Sequence, residues 1–246
     1  MESVICAEGG GPPVNRPLFA KKRVRFPDPR LALDDGLVCF SDEMDVDILL
    51  EAYSFGIFPW PHEDSPILWF SPNPRGVLEF EDFHVSKSFT KFLRKMEWQV
   101  TMNESFADVI RQCASVQRKG EPGTWITPHM LDNYIRFHKA GYAHSVEVWE
   151  NEVLIGGVYG VYVAGVFAGE SMFFKKSNAS KVAFYYLVNF LRASGLKWMD
   201  TQMVTPNIEA FGGKYISREV FLRRIEEEKH RAQYLDILKF KALTPG

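Results

Sequence analysis

A mixed α/β domain is the fold the sequence predicts, and three observations predict it. Segments of helical period fill the stretch from residue 84 to residue 141. After Gly141 the apolar period drops to two, as in strands. A long helical run over 178–195 then leads straight into another strand-like run, "LKWMDTQMV". With 246 residues and 46% hydrophobic side chains, the chain is long enough for one large domain, or for one domain and a smaller companion.

In chain order, residues 1–17 are rich in Gly and Pro and read as a mobile start. "RFPDPRLALDDG" carries Pro27 and Pro29 and reads as extended. "DEMDVDILLEAYSFGIF" predicts a short amphipathic helix. Asp45 or Asp47 caps it, Gly56 stops it, and Ile48, Leu49, Ala52 and Tyr53 share one face. "FPWPHEDSPILWFSPNPRG" is too proline-rich for a regular element and reads as a packed connection or the lining of a cleft. The domain boundary falls near its end, giving a small domain over 1–73 and a larger one over 74–246.

Three amphipathic helices follow. The first, over 84–96, sets Phe89, Phe92 and Leu93 against Lys87, Lys91, Arg94 and Lys95. The second covers 105–117. The third runs over 127–141, with Thr127 as N-cap and Pro128 in its first turn. Three strands come next, with turns expected at Glu150–Asn151 and Ala164–Gly165 and a bulge at Gly156–Gly157. The C-terminal two-thirds therefore reads α-α-α-β-β-β-α-β.

Composition and motifs exclude several classes. Net charge is −2, so any nucleic-acid contact must be a local patch; the cations over 87–95 are the best candidate. Cys6, Cys39 and Cys113 form no CxxC pair, and the six histidines no HExxH cluster, so no metal is expected. The start has no continuous apolar run of a secretory signal, and no stretch approaches the ~20 apolar residues that span a membrane, so a cytoplasmic location is expected. "FAGESMFF" opens Gly-x-Ser but lacks the final Gly of a nucleophile elbow, which argues against a serine hydrolase. "QRKGEP" over 117–122 loosely matches a pyrophosphate-gripping loop, yet it ends in Pro122, which has no N–H, and it reads as a surface loop. No GxxxxGK[ST] or GxGxxG occurs.

The chemistry-bearing residues lie on the last strands. Asp200 and Gln202 sit two apart in an apolar run, so their side chains share a face with Leu196 and Trp198. Their Cα atoms are expected about 7 Å apart, close enough for a side-chain hydrogen bond. A carboxylate on an interior face is costly unless paired or used. Glu170, in a hairpin strand, reads either as a surface residue or as a carboxylate that binds an ammonium group. Trp60, Trp69 and Trp125 read as core, or as walls of a pocket that stack on a base.

The segments "LLEAYSFGIFPW", "ILWFSPNPRGVL", "GTWIT", "GYAHSVEVWENEVLIGGVYGV", "FAGESMFFKKSNASKVA" and "MDTQMVTPNIEAFGGKYISREVFL" together resemble the bacterial leucyl/phenylalanyl-tRNA–protein transferases. The likeness runs from about residue 25 to about residue 225. It implies a small N-terminal domain followed by a GNAT-like acyltransferase domain, with no cofactor. It also implies a protein that moves leucine or phenylalanine from aminoacyl-tRNA to the N-terminal Lys or Arg of a protein, making a degradation signal (an N-degron); a monomer is the separate expectation. By position it implies Asp200 and Gln202 for catalysis and Glu170 for substrate binding. Trp60 and Trp125 would lie near the tRNA 3′ adenosine. Met172, Phe167 and Phe184 would form an apolar amino-acid pocket, and Lys87, Lys91 and Arg94 would face the tRNA, with Lys95 on the same charged helix face. Where the family carries a His five residues after the glutamine, this chain has Asn207.

Such an ester donor is already activated. The attacking α-amine, of pKa about 8, must shed a proton. Either the Gln202 carbonyl accepts from the amine while Asp200 holds the Gln202 side-chain amide, or Asp200 itself takes the proton. A coenzyme-A-dependent N-acyltransferase and a non-catalytic tRNA- or peptide-binding module are the competing readings.

Overall fold

The computed structural model describes residues 26–60, 66–116 and 126–231, together with Leu235 and Phe240. In chain order the elements are β1 (Leu37–Ser41), α1 (Val46–Ser54), β2 (Phe58–Trp60), β3 (Ile67–Phe70), β4 (Arg75–Glu79), α2 (Lys87–Leu93), β5 (Gln99–Met102), α3 (Phe106–Ser115), α4 (Pro128–Lys139), β6 (Ala143–Glu150), β7 (Val153–Val163), β8 (Val166–Phe174), α5 (Ala179–Ala193), β9 (Trp198–Gln202), α6 (Pro206–Ala210), β10 (Lys214–Ile216) and α7 (Arg218–Lys229). The fold is mixed α/β, as expected. A three-stranded sheet has the order β1-β3-β2, and a seven-stranded sheet the order β10-β4-β9-β8-β7-β6-β5.

The large sheet is antiparallel except where β8 meets β9. Those two run parallel and share the single register pair Ala168–Asp200. Two strands that meet at one place and then part leave a cleft between their ends. The cores explain the layers. Tyr159, Val161 and Phe173 on one sheet face pack with α1, α3, α4 and the small sheet. Val146, Val148, Val158 and Phe167 on the other face pack with α5. A third, smaller cluster sets Phe221, Leu222 and Ile225 of α7 against Val77 and Trp198.

Several details differ from the sequence expectation. The proline-rich segment contains three strands, β2, β3 and the start of β4. Its prolines fall where strands tolerate them: Pro59 lies in β2, an edge strand, Pro66 precedes β3, and Pro72 and Pro74 fill the connection to β4. The helix expected over 84–96 is shorter, because Ser86 caps it by accepting from the Phe89 N–H at 3.2 Å. β5 and the α6-β10-α7 tail add elements that the pattern reading had not marked. The first hairpin turns at Asn151–Glu152, both at positive φ, one residue beyond the expected place. The second turns at Ala164–Gly165, as expected. The bulge expected at Gly156–Gly157 lies just before it: Val148 pairs with Gly156 and Trp149 with Leu154, so Ile155 is the extra residue. Gly156 has another reason to be glycine, since a Cβ there would come within 2.5 Å of Ala179 Cβ.

Candidate active site

Two β-bulges on neighbouring strands build the site. On β9, Asp200 pairs with Val77 and Gln202 with Gly76, so Thr201 is the extra residue. Gln202 takes φ +61. A Cβ on Gly76 would lie 2.6 Å from the Met203 carbonyl carbon, so only glycine lets β4 pass this close. On β8, Ser171 pairs with Tyr159 and Gly169 with Gly160, which leaves Glu170 as the extra residue. A bulge re-aims the side chain it carries. Here the two bulges turn Glu170 and Gln202 toward each other.

Asp200 is 3% exposed and faces away from solvent, against Arg75, which is 1% exposed. The guanidinium is bidentate: Nε donates to Oδ1 at 2.9 Å and Nη2 to Oδ2 at 2.6 Å. Nη1 donates to the Gly56 carbonyl at 3.1 Å. The Phe58 and Phe221 rings sandwich the guanidinium at 4.7 and 4.3 Å. This is a buried ion pair with its geometry filled. Asp200 Oδ1 also accepts the main-chain N–H of Gln202 at 2.8 Å.

The expected bond from Asp200 to the Gln202 side-chain amide is not made. That amide donates instead to Glu170 Oε1 at 2.8 Å. Asp200 thus holds Gln202 by its backbone, and Glu170 holds it by its side chain. The amide oxygen of Gln202 has no hydrogen-bond partner among the described residues.

Glu170 is not a surface residue with a free carboxylate. Its Oε1 also accepts from the Tyr53 hydroxyl at 2.7 Å. Tyr53 in turn meets the Tyr134 hydroxyl at 2.5 Å, and since its one proton goes to Glu170, Tyr134 is the donor. Burial pushes both phenols well above their usual pKa, with the Glu170 charge adding to it, so both stay protonated. Glu170 Oε2 is buried and has no partner among the described residues. Burial pushes the Glu170 carboxyl up to about 8; the Tyr53 bond opposes the shift, and the Asp200 charge adds to it.

Glu170 and Gln202 line one wall of a cavity of about 570 Å³ between the parting ends of β8 and β9. Val158, Met172, Phe184, Met199 and Ile208 give it an apolar floor, and Trp60, Phe174 and Met203 stand around it. Phe174 and Met203 are exposed. Asn207 also lines it. Asp200 does not; it borders a far smaller void with Tyr53 and Ile225. Phe167 does not line the cavity either. It is fully buried, and the ring lies where a Gly160 Cβ would sit. Trp125 and the 117–122 loop fall outside the described residues. Lys87, Lys91, Arg94 and Lys95 are exposed on or just past α2, and none lines the cavity. The buried side of α2 sets Phe89 against Tyr185 of α5, at 6.4 Å between ring centres.

Sequence reasoning missed Arg75, Tyr53 and Tyr134 as parts of the site. Tyr53 had a signal: a hydroxyl on the buried face of α1 must find a partner. Arg75 had one too, as a lone cation at the head of the apolar run "RGVLEF". Among the described residues no group of three His, Cys, Asp or Glu is placed to hold a metal, and no helix is long and apolar enough to cross a membrane.

Residues 77–226 match the family described as leucyl/phenylalanyl-tRNA protein transferase, and residues 42–73 match its N-terminal domain. A protein of Anaeromyxobacter sp. (strain Fw109-5) named leucyl/phenylalanyl-tRNA–protein transferase is 48% identical over 204 residues, which is 83% of this chain and 87% of that one. A protein of the same name from Hydrogenovibrio crunogenus is 44% identical over 222 residues, covering 89% of this chain and 87% of its own. A third, from Pseudoalteromonas atlantica, is 47% identical over 208 residues, with 84% and 88% covered.

Proposed function

The chain belongs to the leucyl/phenylalanyl-tRNA protein transferase family, and from that premise we propose that it moves leucine or phenylalanine from aminoacyl-tRNA to the α-amine of an N-terminal Arg or Lys, forming a peptide bond. It is an aminoacyltransferase. The observation that carries the reading at the level of chemistry is the Glu170–Gln202 pair. Both residues line an apolar cavity, and two acceptor oxygens, Glu170 Oε2 and the Gln202 amide oxygen, have no partners among the described residues. An amine needs such acceptors, and a leucyl or phenylalanyl side chain needs such a floor.

The proton balance favours Glu170 over Asp200 as the group that handles the amine. Asp200 is sealed behind Arg75 and borders no part of the cavity. Glu170 has a carboxyl at about 8, matched to an α-amine of about 8. In the pair, ammonium with carboxylate and amine with carboxylic acid then lie close in energy. Once Glu170 Oε2 holds the first proton, the nitrogen lone pair is free to attack the ester carbonyl carbon. The N–C bond forms and the bond to the ribose oxygen breaks. Of the three ammonium protons, one stays on the peptide nitrogen, one goes to the ribose oxygen, and one leaves through Glu170. Gln202 aims the amine with its carbonyl, and its own NH₂ is fixed by Glu170. Asp200 and Arg75 are positioning residues in this scheme, acting through the Gln202 main chain.

The same proposal gives Trp60, at the cavity wall, the stacking of the terminal adenosine, and gives Met172 and Phe184 the donor side chain. Lys87, Lys91, Arg94 and Lys95 would track the tRNA backbone. Residues 74–246 would be the GNAT-like catalytic domain and 1–73 its small companion. The product would be a degradation signal made in the cytoplasm by a monomer. The deciding experiment incubates the protein with labelled Phe-tRNA or Leu-tRNA and a model acceptor that begins with Arg, Lys or Ala. Label should enter the Arg and Lys acceptors only. Absence of transfer to any of them, with coenzyme A bound in a parallel titration, would favour the N-acyltransferase reading; absence of both would favour a binding module.

A further inference from the structure

The first turn of α5 opens onto the same cavity, on β8's far end from Glu170, and it is built for an anion. Asn178 holds the cap position at φ +71 and makes no side-chain cap bond. The Ala179 N–H reaches the Lys176 carbonyl at 3.1 Å and the Val182 N–H the Asn178 carbonyl at 2.9 Å, while the N–H groups of Ser180 and Lys181 have no acceptor among the described residues. Ser180 is 7% exposed and lines the cavity, and its hydroxyl has no hydrogen-bond partner there. Lys175 and Lys181 flank this turn and make no ion pair within 4.0 Å among the described residues; Lys176 is held by Glu150. Gly156 keeps the turn against the sheet, since a Cβ there would lie 3.1 Å from the Ser180 nitrogen.

Two main-chain N–H groups, one hydroxyl and two ammonium groups are donors only or can act as donors. A helix N-terminus adds positive potential. The ligand they fit has several acceptor oxygens and a negative charge. The donor brings one such group close to its reacting end, the phosphodiester that ties the terminal adenosine to the nucleotide before it. We propose that the first turn of α5, with Ser180, Lys181 and Lys175, is the seat of that phosphodiester. The proposal rests on the aminoacyl-tRNA reading above. It gives the cavity two fixed points, the phosphate at α5 and the reacting amine at Glu170, between which the aminoacyl ester is stretched.

The test compares two small donors, phenylalanyl-adenosine and the same compound extended by one 5′-linked cytidine, which adds one phosphodiester. In the parent protein the extended donor should have kcat/KM about tenfold higher, mostly through KM, as expected for two or three charge-assisted hydrogen bonds partly screened by water. Lys181→Ala, and Ser180→Ala combined with it, should shrink that ratio to within about twofold of unity. The ratio cancels any change that Ser180→Ala makes to the amino-acid end of the cavity. A ratio that stays at the parental value in both variants would overturn the phosphate seat while leaving the transferase reading intact. If the parent transferred from neither small donor nor from full Phe-tRNA, the transferase reading itself would fall, and the seat with it.

Discussion

The neighbourhood of β8 and β9 holds two carboxylates that do opposite work. On its closed side Asp200 is saturated: both oxygens are met by Arg75, one also by a main-chain N–H, and aromatic rings cover the guanidinium. On its open side Glu170 is half-served: one oxygen takes two hydrogen bonds and the other takes none from the described residues. The first arrangement stabilises a charge and removes it from chemistry. The second holds a charge poorly, and its carboxyl rises to about 8. A motif reading sees an acid and an amide two residues apart and pairs them. The molecule instead gives the amide's backbone to one acid and its side chain to the other.

The comparison is sharpened first by disabling the open side. Glu170→Gln and Gln202→Ala should each slow transfer by about 10²–10⁴-fold, the range for losing a positioned acid–base group. The double variant should cost little more than the worse single one, because the two residues act as a unit. Single-turnover transfer from Phe-tRNA reads this, with tRNA affinity measured alongside and expected to stay at the parental value. Simple additivity of the two losses would separate them.

Disabling the closed side should strike stability more than chemistry. Arg75→Met leaves the Asp200 charge buried without a partner and should cost about 3–5 kcal/mol in urea unfolding. Arg75→Lys should recover only part of this, since an ammonium cannot make the bidentate pair. Parental stability of Arg75→Met would mean that the pair is not what holds β4 to β9.

A smaller effect comes from pH. The ordinary Glu carboxyl titrates at 4.5 and the folded Glu170 at about 8, so between those values the native state holds a proton that the unfolded chain has lost. Stability must therefore fall as pH rises through that window. Glu170→Gln should flatten this slope in denaturation series from pH 5 to pH 8.5, and an unchanged slope would show that another group is responsible. The smallest effect belongs to α2, far from both carboxylates in role. Lys87→Ala, Lys91→Ala and Arg94→Ala together should weaken tRNA binding and lower its salt slope by about one unit per lost phosphate contact, with transfer at saturating tRNA little changed. A constant slope would leave α2 as a merely solvated face.

How much of this was legible in sequence follows from where the information sits. The α1 cap at Asp45, one of the two caps the pattern offers, and the Ala164–Gly165 turn are local, and local pattern found them. The basic face of α2 was legible from helical spacing, because exposure follows from period. Contacts set by bulges were not. Thr201 and Glu170 look like ordinary strand residues, and only the pairing with β4 and β7 makes them extra. The partner of Arg75 was out of reach for a different reason: Asp200 lies 125 residues away. Phe167 was placed in the pocket by resemblance; it shares the apolar cluster of the pocket floor, but it is fully buried and does not line the cavity. The prolines misled because Pro59 lies in an edge strand and Pro66, Pro72 and Pro74 lie outside the strands, where no ladder N–H is missed.

The central claim is that Glu170, and not Asp200, handles the proton of the attacking amine. The most direct test measures Glu170→Gln with two nucleophiles at pH 7: an acceptor with an ordinary N-terminal Arg, and one whose terminal amine is replaced by a hydroxylamine, already neutral at that pH. The account predicts a loss of at least about 10²-fold with the first and a gap that closes to within about tenfold with the second, since no ammonium proton then needs a home. An equal loss with both nucleophiles, in a folded protein with parental tRNA affinity, would contradict it and leave Glu170 as a group that only holds substrate.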